Sequence, residues 1–389
     1  MIEKSFFRKN STKVSGRWSY DAIFSIAIAV TVLSACSGGA NAPKPAELGP
    51  NAALIGIKQV WVARIGVMPE HAALAVSGKT VAVAAVDGTV ALLDAASGRD
   101  IWRANAAGVV ATGAGSDGQR VAVATKANEV VAFEAGKQIW RETLPAQIFT
   151  APFVAGGRVF VLSADRNVTA FDGATGRKLW TQQRPGEPLV LKQGGTMLAV
   201  GDTLVVGLSG KLVGFNPTSG SVRWEAPIAS PRGTNEVERL VDMVGTVSRV
   251  GDEVCARAFQ AAVGCVNAAK GNLLWTQPAR GREGVHGDES FVFGTESDGK
   301  VLAWKRSDGT RAWVSDRLAF RGLSAPVSLG RSIVLGDKLG VVHVLAKADG
   351  SALTRMSTDG SAVEAAPVVV GDTVVVATRL GSIFGFAPE

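Results

Sequence analysis

The chain is poor in the residues that most often carry chemistry. Its 389 residues include three Cys, three His and one Tyr. The histidines, His71, His286 and His343, have no His or Cys neighbour at metal-ligand spacing. His343 lies within the apolar run VVHVLA, the setting of a packed core side chain. There is no Gly-x-Ser-x-Gly elbow, no P-loop and no His-Glu-x-x-His pair. Nucleophilic hydrolysis, phosphoryl transfer and zinc chemistry therefore lack their usual residues, and the expectation is a protein that is not an enzyme and holds no metal or cofactor. Charge of one sign is also scarce. The net charge is +7, and five Lys/Arg against two Asp/Glu in the first 35 residues leave only +4 for the rest. No basic run is interleaved with aromatics, which speaks against a nucleic-acid partner. Apolar runs are short: the longest, residues 22–35, falls below the roughly 20 residues a spanning helix needs.

What the chain has instead is a phrase used repeatedly. One copy reads APFVAGGRVFVLSADRNVTAFDGATGRKLW, residues 151–180. Its most regular part is a Gly four residues ahead of a Trp. The pair recurs as Gly98/Trp102, Gly136/Trp140, Gly176/Trp180, Gly220/Trp224, Gly271/Trp275 and Gly309/Trp313. A seventh copy, Gly350/Thr354, has lost its Trp, and an eighth, from Ala366, stops before that position. Trp61 stands ahead of the first copy with no repeat of its own. A period of about 40 residues marks a repeat architecture. The apolar runs TVAVAAV, RVFVLSA and DTVVVAT are short, β-branched and bounded by Gly/Asp turns, so each unit reads as strands. Four strands per unit, repeated radially, predict an all-β, eight-bladed β-propeller over residues 57–389. The N-terminal strand around Trp61 joins the last three strands and closes the ring. Trp61, Trp102, Trp140, Trp180, Trp224, Trp275 and Trp313 are read as flat side chains packed between blades. Asp87, Asp94, Asp165, Asp172 and Asp349 recur at the turns and are read as turn formers.

The N-terminus reads as a targeting segment. Residues 1–35 join a basic stretch (Lys4, Arg8, Lys9, Lys13, Arg17) to the apolar run, the layout of a signal peptide. The run ends in Leu33-Ser34-Ala35-Cys36, which resembles a bacterial lipobox, so Cys36 is the expected lipid attachment site. Ser37 at the next position favours the outer membrane by the usual sorting rule. Residues 36–56, rich in Gly, Pro and Ala, read as a flexible tether, and the acyl chains would hold the domain at a membrane surface without a span. Cys255 and Cys265 lie in two strands of one hairpin. A turn centred on Gln260 would make them cross-strand neighbours and a disulfide, as an oxidising compartment permits. A two-residue Gln260-Ala261 turn would place them on opposite faces as separate thiols.

The repeat ending Asp-x-x-x-Gly-x-x-x-Trp, as in FDGATGRKLW, resembles that of pyrroloquinoline-quinone-type propellers. Two groups share it: quinoprotein dehydrogenases, and the BamB family of lipoproteins from the outer-membrane β-barrel assembly machinery. The lipobox, the chain's size, the ring-closing strand and the stretch GTNEVERLVDM all resemble the second group. The vicinal Cys-Cys of many quinoproteins is missing. The resemblance implies a monomeric, non-enzymatic scaffold at the periplasmic face of the outer membrane. It implies binding to BamA through its POTRA domains, assembly with the other subunits, and service to nascent outer-membrane proteins. It places BamA contacts in two segments. In GEPLVLKQGG they fall on Leu189, Leu191 and Lys192, with Lys where the family has Arg. In EVERLVD they fall on Glu238, Arg239 and Asp242, with Val244 where the family often has a second acid. Both segments are also the longest departures from the repeat, and insertions in repeat proteins map to one face, often the binding face. Two other readings stay open: Leu189 and Leu191 packing under their own loop, and Arg239 pairing with Asp242 to stiffen the second one. A quinone-dependent dehydrogenase and a lipoprotein scaffold for another envelope partner remain alternative functions.

Overall fold

The computed structural model describes residues 43–70, 72–184, 190–230, 234 and 240–389. Within these, the chain from Pro45 onward forms eight four-stranded antiparallel sheets arranged as the blades of a propeller. Blade 1 is built from Ala75–Ser77, Thr80–Ala84, Thr89–Asp94 and Asp100–Asn105. Blades 2 to 7 span residues 115–143, 153–183, 197–227, 243–278, 285–315 and 327–357. Blade 8 takes Val368–Val370, Thr373–Ala377 and Ser382–Pro388 from one end of the chain and Ile57–Arg64 from the other. Trp61 pairs with Gly385 and Ile57 with Pro388 in that joint sheet.

The second and third strands of each blade are apolar on both sides because a neighbouring blade covers each side. Thr80–Ala84 is buried at every position after its first, and so is Arg120–Ala124. The core is accordingly eight separate seams, one per pair of adjacent blades.

The Gly-x-x-x-Trp spacing has a specific cause. The Trp on the fourth strand of one blade lies flat on the Gly of the next blade, in the turn between that blade's third and fourth strands. Trp180 covers Gly220, where an added Cβ would sit 2.6 Å from the ring; that glycine also has φ +73°, a conformation most side chains avoid. Trp61, Trp102, Trp140, Trp224, Trp275 and Trp313 cover Gly98, Gly136, Gly176, Gly271, Gly309 and Gly350 in the same way. Five of the indoles, those of Trp61, Trp140, Trp180, Trp275 and Trp313, also donate a hydrogen bond across the seam to a carbonyl of that turn, at 2.7–3.0 Å. Each glycine is thus the receptor for the preceding blade's tryptophan. The acids that open these turns act as the sequence suggested: Asp94 accepts from the Ser97 amide and Asp172 from the amides of Ala174 and Thr175.

The seam between blades 7 and 8 differs. The fourth strand of blade 8 comes from the far end of the chain, so no tight turn exists there to receive an indole. Thr354 stands at the Trp position of blade 7, and Ile55 and Ile57 fill the seam with Leu353, Met356 and Phe386. Here the structure revises the sequence reading. Residues 45–56, taken as part of a flexible tether, are seated on the ring as a strap. Ala46 donates to the Ala319 carbonyl and accepts from the Arg321 guanidinium. Asn51 exchanges hydrogen bonds with the Arg355 backbone, and the Leu54 amide donates to the Leu353 carbonyl at 2.7 Å. Arg321 is itself fixed by Asp337, whose carboxylate also meets His343 at 2.9 Å. Burial works against the Asp337 charge, but the bonds from His343, the Val341 amide and Arg321 outweigh it and hold the group below the usual carboxylate range. His343 is the buried residue its apolar run suggested, and it is also a hydrogen-bonding member of this cluster.

Cys255 and Cys265 face each other across adjacent strands of blade 5, with the turn centred on Gln260, and are joined by a disulfide. Both are fully buried. The bridge closes a loop of ten residues, which by chain entropy is worth about 2–3 kcal/mol. The Cys255→Ala/Cys265→Ala variant should lose that amount in urea unfolding, and an unchanged midpoint would mean the bridge adds nothing to the packed strands.

Candidate functional site

In each blade the turn between the second and third strands lies at the same end as the connection to the next blade. These elements make up one face of the ring. On it, the connections leading into blades 4 and 5 carry most of the residues singled out in the sequence. The structure brings two of them together. Asp242 sits just ahead of the first strand of blade 5, and its carboxylate accepts the Leu191 amide at 2.9 Å. Its other oxygen accepts from the Arg166 guanidinium of blade 3 at 3.0 Å. One carboxylate therefore ties two connecting loops to a third blade. Further bonds stitch the same region: the Gly195 amide to Thr150, the Gly245 amide to the Gly194 carbonyl, and the Thr196 hydroxyl to the Gly245 carbonyl.

Around this clasp lies a small open cleft walled by Phe149, Leu162, Val190, Leu191, Leu208 and Met243. Leu191 is half-buried in its wall, so it is partly a packing residue and partly open to a partner. Lys192, next in the chain, is exposed. Leu189, Glu238, Arg239 and Cys36 lie outside the described residues, as does His71. Among the described residues Asp242 forms an ion pair with Arg166, a residue the sequence reading did not single out; a pairing with Arg239 falls outside the described residues. Arg166 and Asp242 are largely buried, with 8% and 15% of their side chains exposed. A pair so sheltered, with hydrogen bonds to its remaining oxygen, holds geometry far better than a solvated surface bridge.

Arg166 left a trace in the sequence. It occupies the left-handed position of its turn, φ +62°. In five of the other seven blades the equivalent position holds Gly88, Asn128, Gly299, Gly340 or Gly381, the residue types that reach this conformation at little cost. One partner of the Arg166 side chain at this position is Asp242.

Other buried polar groups lie elsewhere. Arg257, fully buried in blade 5, pairs with Glu296 at 3.0 Å and lies over the Trp304 ring. Arg306 is buried against Ser248 and the Cys255 sulfur. His286, on the first strand of blade 6, accepts the Ser328 amide through Nδ1 at 3.1 Å. Burial first, and then Lys347 and Arg306, push its pKa down to about 4 against the pull of Asp288. Unfolded, the same histidine binds a proton near pH 6.5, so stability should fall as pH drops from above 6.5 toward 4. Thermal melts at pH 7.5 and 5 test this, and His286→Asn should flatten the difference; an equal drop in that variant would assign the effect to other groups. Among the described residues, no cluster of His, Cys, Asp and Glu is placed to hold a metal ion.

The family model for outer membrane protein assembly factor BamB matches residues 86–315. The outer membrane protein assembly factor BamB of Burkholderia pseudomallei is 38% identical over 375 residues, covering 95% of this chain and 98% of that protein. Among solved structures, BamB from Moraxella catarrhalis superposes with a TM-score of 0.77 at 22% identity, covering 85% of this chain and 99% of the other. The quinohemoprotein alcohol dehydrogenase of Comamonas testosteroni shares the propeller at a TM-score of 0.66 and 15% identity, over 87% of this chain and 77% of its own.

Proposed function

This chain belongs to the family of outer membrane protein assembly factor BamB, and from that membership we propose that it is a lipid-anchored, non-enzymatic scaffold that docks BamA on the face carrying the Asp242 cleft. Its role is in outer-membrane protein assembly. The finer reading rests on one observation: Asp242 joins the two connecting loops, through the Leu191 amide, to Arg166. Where Leu191 and Asp242 are joined in this way, the surface is formed before the partner arrives, so less ordering is left there to oppose binding. Half-buried Leu191 and exposed Lys192 give that surface an apolar anchor beside a charge, a combination suited to a protein partner. The acyl group on Cys36 keeps the scaffold at the periplasmic face of the outer membrane, beside BamA, the other subunits and the nascent proteins they insert. A quinone-dependent oxidation draws support from the shared fold alone, and fold does not carry function.

The test is co-purification. Membranes solubilised in mild detergent should yield BamA with the tagged wild-type protein, and a Leu189→Glu/Leu191→Glu variant with wild-type circular dichroism should lose it. BamA retained by that variant would move the contact elsewhere on the ring. BamA absent from the wild-type eluate would point to another envelope partner.

A further inference from the structure

The strap fixes the place where the chain leaves the ring. Ala46 is bonded on both sides to the connection between blades 6 and 7, through the Ala319 carbonyl and the Arg321 guanidinium. That connection belongs to the same face as the Asp242 cleft, two to three blades further round the ring. Pro45 lies nine Cα-to-Cα steps beyond Cys36. Fully extended they reach about 30 Å, at roughly 3.3–3.6 Å each. An acyl chain on Cys36 would hold the start of the strap within about that distance of the bilayer.

The rim at this point is apolar. Phe320, Leu339, Leu380 and Val67 are 46%, 52%, 63% and 50% exposed. They form a series along the face. The Lys338 amide bonds the Arg321 carbonyl, which sets Leu339 beside Phe320. The Leu380 amide bonds Ser361, and the Met68 amide bonds the Arg379 carbonyl, which sets Val67 beside Leu380. Phe320 has φ +58°, a conformation that costs a bulky residue free energy, and it is spent on holding an aromatic ring out in solvent. Exposed apolar groups in series on one rim mark a contact surface. Charges along the rim are balanced: Arg379 is paired with Glu364 and lies near Glu70.

We propose that the rim formed by Phe320, Leu339, Leu380 and Val67 rests on the lipid leaflet that holds the acylated N-terminus, so that the ring sits with this edge against the membrane. The inference rests on the lipid-anchor reading of Cys36. The acyl chains supply the attachment, and an apolar rim beside them sets which edge of the ring meets the bilayer. Because the rim carries no excess of positive charge, the contact needs a bilayer and no particular headgroup.

The experiment uses the full acylated protein in phosphatidylcholine vesicles containing a spin-labelled lipid, with no other protein present. Once Cys36 is acylated and Cys255 is bonded to Cys265, an introduced cysteine is the one free thiol. A fluorophore is placed on Leu339→Cys or Phe320→Cys, and on Lys270→Cys at the opposite face as reference. Quenching at positions 339 and 320 should exceed that at 270 at least twofold. Adding Phe320→Glu and Leu380→Glu to the Leu339→Cys protein should remove the excess. Equal quenching at all three sites, with intact mass confirming the acyl chains, would overturn the membrane-facing rim while leaving the anchor in place. A mass without acyl chains would overturn the anchor and this surface together.

Discussion

Replacing Trp61 by alanine is expected to destabilise the ring by about 3–5 kcal/mol, the range for truncating a large buried aromatic. Three features put Trp61 at the upper end. Its side chain is buried, its indole donates to the Ala95 carbonyl at 3.0 Å, and its ring fills the space beside both Gly98 and Gly385. It also lies on the strand that completes blade 8, so its loss weakens the sheet that joins the two ends of the chain. Trp313, only half-buried, should cost less. The same junction can be attacked from the other side: Gly98→Val puts a branched side chain where the Trp61 ring lies, at φ +68°. The two changes share one contact, so the double variant should be less destabilised than the sum of the singles. Urea unfolding followed by tryptophan fluorescence measures all four proteins. A loss under about 1 kcal/mol for Trp61→Ala would mean that strand pairing alone closes the ring.

The second large effect is expected on binding. Asp242→Asn keeps the size of the side chain but removes its charge and one of its two acceptors. The Leu191 amide and the Arg166 guanidinium then compete for a single oxygen. Affinity for the BamA periplasmic domains should fall about tenfold or more, or about 1.4 kcal/mol, and the melting temperature should fall as well, because the largely buried Arg166 is left beside a neutral amide. Arg166→Gly provides the complementary case. It restores the residue type found in most of the equivalent turns, so the turn itself should be stabilised while the clasp is lost. Weaker binding in a protein at least as stable as wild type would separate a positioning role from a folding role. Full affinity in both variants would leave the two loops independent of each other.

The repeat was legible because its defining pair is a contact. A glycine and a tryptophan four residues apart report the packing of two blades, so strand count, blade count and ring closure all followed from spacing. The strap was not legible, and the reason is physical. Its composition of Gly, Pro and Ala resembles a linker, while its attachments run largely through main-chain groups of Ala46 and Leu54 that every residue possesses. The missing indole at Thr354 was visible as a gap in the pattern. Its meaning, a seam with no turn to dock on, needed the three-dimensional pairing of Ile57–Arg64 with Ser382–Pro388. In the candidate site, Leu191 was picked for its side chain, whereas the bond that places it uses its backbone amide. Arg166 could have been found from sequence by asking why an arginine stands in a glycine turn.

The strap also sets how the molecule meets mechanical load. It runs along the outer strand of blade 7 in the opposite direction and then doubles back as the outer strand of blade 8. A pull applied from the N-terminal side along these strands would load the bonds at Ala46, Asn51 and Leu54 together in shear. Peeling them one at a time would require a pull perpendicular to the blade. Thermal motion at the chain end and tension on it therefore act on the ring differently. The first can loosen the strap bond by bond, while the second must break several bonds at once before the blade 7–8 seam is exposed.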